Sequence, residues 1–136
     1  MTDIAVRTTY EGFSDNHAWV YADIGKQVSR RTITLDATKF DKATDYPKGF
    51  VPSGVPLGKV TATELYAPFD ESATDGTEDF EGFLWTYTDI VDGQEVAVTA
   101  IWDGPGTIRE NKLPKAATAA LKTAVAAHGR FKFVTA

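Results

Sequence analysis

The carboxylates of "DESATDGTEDFEG" are the densest set of reactive side chains in the chain: Asp70, Asp75, Glu78, Asp79 and Glu81 fall within twelve residues. Such a set can ligate Ca²⁺ or supply a general acid and base. Placing Asp70 and Glu81 at the first and twelfth positions of a Ca²⁺ loop puts Asp75 where the sharp-turn glycine belongs, with Gly76 one place late. The pattern therefore fails at its geometric key, and the segment reads as a solvated turn. The two histidines, His17 and His128, lie too far apart in sequence for a helical metal pair. Neither has a serine partner in a nucleophile elbow, since none of Ser14, Ser29, Ser53 and Ser72 sits in a G-x-S-x-G pattern. "GFVPSGVPLGK" and "WDGPGT" miss the spacing of phosphate-binding loops, because Gly54 precedes only three residues before Gly58-Lys59 and Val60 stands where Ser or Thr is needed. Trp85, Tyr87 and Trp102 are candidates for a sugar-stacking platform, a protein interface or, most simply, the core.

The composition narrows the classes further. A net charge of −5 argues against binding nucleic acid, whose backbone demands Lys and Arg. The absence of cysteine excludes a disulfide framework, a thiolate nucleophile and a Cys-based zinc site. No segment approaches the ~20 apolar residues of a membrane span, and the N-terminus has no apolar run of signal-peptide length. No cofactor, metal or catalytic residue is expected.

The elements that would position these residues are mostly strands. "RRTITLD" alternates, with Ile33 and Leu35 on one face, and reads as a half-buried strand. "GKVTATELYAPF" alternates as well, Val60, Ala62 and Glu64 opposing Thr61, Thr63 and Leu65. "FLWTYTDIV" and "EVAVTAIW" flank Asp92-Gly93 and predict an antiparallel hairpin. "TIRE" is a short strand, "KAATAALKTAVAAHG" a helix ending at Gly129, and "RFKFVTA" a last strand closing the sheet. Residues 1–30 show no sustained period and read as an extended N-terminal arm. Within it Ile4, Val6 and Thr8 alternate, followed by Tyr10. Residues 31–136 form one domain, with 31–49 assignable to either part. Pro52, Gly54, Pro56 and Gly58 stiffen the entry to that domain, and Pro52, Pro56 and Leu57 are its expected rim.

The ordered segments "VPSGVPLGK", "DG…EGFLW" and "KLP" ahead of an alanine-rich helix, over roughly residues 48–136, resemble the head decoration proteins related to that of phage lambda. The resemblance implies a mainly β fold with one C-terminal helix, a small β-barrel or β-tulip-like domain behind the arm. It also implies a homotrimer on the outer capsid at three-fold and quasi-three-fold positions, with the major capsid protein as partner and the expanded head as target. The arm residues Ile4, Val6, Thr8 and Tyr10 become the expected capsid contact. The competing expectation is a small β carbohydrate-binding or adhesin module using the exposed aromatics; a hydrolase built on Asp79 or Glu81 is a third.

Overall fold

The computed structural model describes residues 17–23, 30–91 and 93–135. Ten strands and one helix follow in order: β1 (Val20–Asp23), β2 (Arg30–Asp36), β3 (Phe50–Val51), β4 (Pro56–Lys59), β5 (Tyr66–Pro68), β6 (Gly82–Leu84), β7 (Thr88–Asp89), β8 (Val96–Trp102), β9 (Gly106–Arg109), α1 (Ala119–His128) and β10 (Phe131–Val134). The protein is mainly β with one C-terminal helix, as its sequence predicts.

Five strands run β2-β5-β4-β6-β8, and β8 pairs back onto β2 to close a barrel. The longest seam joins β2 and β8 antiparallel over seven residue pairs, Arg30↔Trp102 through Asp36↔Val96. The parallel contact of β2 with β5 rests on the single pair Leu35↔Tyr66. Alternation in β2 sends Ile33 and Leu35 inward, where they meet Leu57, Leu84, Ile101, Val51 and Val55. A three-stranded sheet β1-β9-β10 and the helix enclose a second cluster of Trp19, Phe80, Phe83, Trp102, Ile108, Leu121 and Val125.

The helix starts at Ala119 rather than Lys115 because the Thr118 hydroxyl caps it, accepting the Leu121 N–H at 3.1 Å. It ends where expected: Gly129 takes φ 80° and donates its N–H to Val125 O at 3.0 Å. Leu121 and Val125, one turn apart, are its buried residues.

Three expectations change. The alternation over residues 58–69 is not one strand but the β4–β5 hairpin, because Glu64 adopts φ 61° and donates its N–H to Val60 O at 2.7 Å, turning the chain. The predicted hairpin is half present: β6 pairs antiparallel with β8 (Phe83↔Trp102, Leu84↔Ile101), but β7 leaves to pair with β3. Finally, β10 lies parallel to β9 in the smaller sheet, outside the barrel.

Residues 17–23 belong to the fold. β1 pairs with β9, and Trp19 is 1% exposed. The part of the expected arm that carries Ile4, Val6, Thr8 and Tyr10 lies outside the described residues.

Candidate functional site

The stretch from Phe50 to Lys59 packs into a junction of three distant segments. The Ser53 hydroxyl accepts the Trp19 indole N–H at 3.2 Å and donates to Trp85 O at 2.7 Å. Gly54 has φ 101° and donates its N–H to Leu84 O at 2.7 Å. A side chain there would also meet Pro114 at 2.8 Å and the Trp19 indole at 3.0 Å, so glycine is demanded twice over. Entry strand, β6 and the approach to the helix are thereby fixed to one another.

Of the expected rim, Pro52 and Pro56 are half-buried and at the surface, whereas Leu57 is fully buried in the barrel. The correction follows from register. Leu57 sits opposite Pro68 and Gly82, and its side chain fills the barrel interior with Leu35 and Leu84.

Beside this junction the His17 ring stacks on Trp85, with centroids 4.0 Å apart and planes 26° apart. Its Nε2 lies 2.9 Å from Trp85 O. The Arg30 guanidinium stands 3.9 Å from the centroid of the same indole. Two groups at that height cannot share one face, so Trp85 is covered on both sides. Trp102 is fully buried, and the half-buried Tyr87 meets the Phe50 ring edge-on at 5.5 Å. Trp85 and Trp102 therefore offer no open ring face for stacking on a sugar.

The acidic loop uses its carboxylates on its own backbone. Asp70 accepts from the N–H and hydroxyl of Ser72 at 3.0 and 2.7 Å, and Asp75 likewise from Thr77 at 3.1 and 2.7 Å. Glu78 accepts the Gly76 N–H at 2.8 Å. The Thr77 hydroxyl and N–H hold the Asp75 carboxyl below the ordinary carboxylate range. Among the described residues, no three His, Cys, Asp or Glu side chains are grouped to hold a metal ion.

His128, expected beside the helix C-terminus, stacks on Phe131 at 5.7 Å and meets Phe80 edge-on at 5.1 Å. Burial, followed by the nearby Arg130 charge, pushes its pKa below the usual 6.5. The ring is part of the second cluster's wall.

What this arrangement offers is a rigid body with a reinforced N-terminal attachment. Trp19, with the rest of residues 17–23, belongs to the domain and not to the expected arm. Its signal was its own size, since an indole in a polar stretch has to bury its area against something.

No curated protein matches the chain. A family model described as bacteriophage lambda head decoration protein D matches residues 8–130. The match spans the junction, both clusters and the helix, well over half of the sequence, and it agrees with the order of segments "VPSGVPLGK", "EGFLW" and "KLP". The chain belongs to the bacteriophage lambda head decoration protein D family, and its role is structural decoration of the phage capsid.

Proposed function

We propose that the protein cements the expanded phage head from outside, as a homotrimer at three-fold and quasi-three-fold positions, by gripping the major capsid protein. It is made in the host cytoplasm and ends on the outer surface of the virion. The observation that carries this is the family match across residues 8–130.

The mechanism requires no chemical step. A protein that binds the expanded shell and not the unexpanded one shifts the shell toward expansion by its differential affinity. At a free concentration one hundred times Kd, each filled site contributes about 2.7 kcal/mol. Three arms on one trimer raise avidity through effective concentration. Ile4, Val6 and Thr8 alternate as an added strand would, with Tyr10 following, and main-chain pairing to a capsid sheet edge asks little of side-chain identity. The His17–Trp85 contact supports this reading because it gives the preceding segment a firm point of attachment.

Sedimentation of the purified protein, alone and with expanded undecorated heads, tests the proposal. A trimer that co-sediments with heads is expected, and deletion of residues 2–12 should weaken that binding at least tenfold. A monomer indifferent to heads defeats the reading; undiminished binding after the deletion defeats the role of the arm.

A further inference from the structure

His128 ends α1 with its ring slotted among aromatic side chains. Phe131 lies nearly parallel to it at 5.7 Å, with 14° between the planes, and Phe80 meets it edge-on at 5.1 Å. Phe80 and Phe131 also touch each other at 5.9 Å, so the imidazole completes the set at the corner where the helix turns into β10. Its Nδ1 is buried and has no hydrogen-bond partner among the described residues. A bare lone pair is tolerated in such a place; an N–H is not, because a buried donor without an acceptor loses its hydration uncompensated. The slot therefore fits the neutral ring with its proton on Nε2 and disfavours the imidazolium.

The same ring borders a cleft of about 240 Å³, lined by Glu78, Asp79, Phe80, Ala124, Ala127 and His128. The helix supplies the alanines and the histidine; the loop ahead of β6 supplies the phenylalanine and both carboxylates. Glu78 Oε1 accepts the Gly76 N–H at 2.8 Å, and neither Glu78 nor Asp79 is ion-paired among the described residues. Glu81 and Asp103 add negative charge around the histidine, and the carbonyl end of α1 favours a cation as well. Against them stands Arg130, while Lys132 of β10 is exposed and Lys122 of the helix pairs with Glu110. The cleft thus suits the charge that the slot refuses.

We propose that His128 is a two-position proton switch. Neutral, it fills the slot beside Phe80 and Phe131; protonated, it turns into the cleft and pairs with Glu78 and Asp79, leaving one side of the two phenylalanines uncovered. Burial and the Arg130 charge lower its pKa, so the change falls below pH 6.5. What moves is the last turn of α1 against the acidic loop, whereas Leu57, Leu84 and the rest of the barrel interior keep their places. The switch belongs to a single chain and stands apart from assembly.

The test is an NMR titration of the full chain from about pH 7.5 to about pH 5, which brackets the ordinary histidine range. His128→Gln identifies the His128 ring signals against those of His17. Nuclear Overhauser contacts from the ring to Phe131 are expected at the upper end and to the Glu78 and Asp79 side chains at the lower end, with Leu57 and Leu84 signals unmoved. Glu78→Gln/Asp79→Asn should weaken proton binding by His128 at least about threefold, a midpoint lower by about half a pH unit. Ring contacts to Phe131 that persist through the titration overturn the swing. An unchanged midpoint in the carboxylate variant overturns Glu78 and Asp79 as the receiving groups. Barrel signals that vanish in step with the histidine titration mean acid unfolding and overturn a local switch.

Discussion

Replacing Trp19 by alanine should unsettle the domain, although the first strand legible in the sequence, β2, begins eleven residues later. The indole is 1% exposed and lies 5.3 Å from Phe83, 5.5 Å from Trp102 and 6.0 Å from Trp85, centroid to centroid. Large-to-small changes of this kind cost about 3–5 kcal/mol, the lost transfer energy plus the cavity that rigid neighbours cannot fill. With an unfolding entropy of about 2.1 cal/mol/K per residue, the 136-residue chain changes by about 0.29 kcal/mol per degree. A loss of about 4 kcal/mol therefore lowers the melting temperature by about 14 °C. The assay is thermal unfolding followed by circular dichroism at fixed protein concentration. Trp19→Phe separates packing from hydrogen bonding: it retains a ring, removes the N–H that Ser53 accepts, and should cost about 1 kcal/mol. A Trp19→Ala protein melting within 3 °C of wild type would refute the packing of residues 17–23 into the second cluster.

Two further outcomes follow from the same packing. The folded state depresses the His128 pKa below 6.5, so between that value and the folded one the unfolded chain binds more protons; stability is then full above about pH 6.5 and falls as the pH drops through this window. His128→Phe should flatten that part of a pH series of melting temperatures, and an unchanged slope would remove His128 as its source. At Gly82 a Cβ would stand 2.7 Å from Trp102 O and 3.0 Å from the Ile101 side chain, so Gly82→Ala should cost about 2–3 kcal/mol in urea unfolding. Wild-type stability in that variant would mean that β6 and β8 are not so closely paired.

Legibility followed the range of the interaction. β2 could be read because Ile33 and Leu35 alternate with polar residues, and the helix because alanines fill it and Gly129 stops it. These are signals within one segment. The β4–β5 hairpin was hidden because Val60, Ala62 and Glu64 keep a strand's period through a turn set by one left-handed residue, Glu64. The parallel pairings of β9 with β10 and β2 with β5 leave no local mark, since each joins strands with other elements between them. At the candidate site, the proline and glycine spacing announced a rigid entry. What it is rigid against, namely Trp19, Leu84 and Pro114, depends on residues 30 or more positions away. Leu57 shows the limit: flanked by Pro56 and Gly58 it looked like a rim residue, and only register sent it inside.

Phe83 and Leu84 are consecutive residues of β6, yet Phe83 packs in the second cluster and Leu84 in the barrel; Trp102 and Ile101 of β8 divide in the same way. Successive side chains of a strand point to opposite sides, so each of these strands is a wall shared by two rooms. Neither room can be emptied while the other stays furnished, because withdrawing Phe83 dislodges Leu84. The domain should accordingly melt in a single step, and a copy of it decorating a capsid would be either whole or absent.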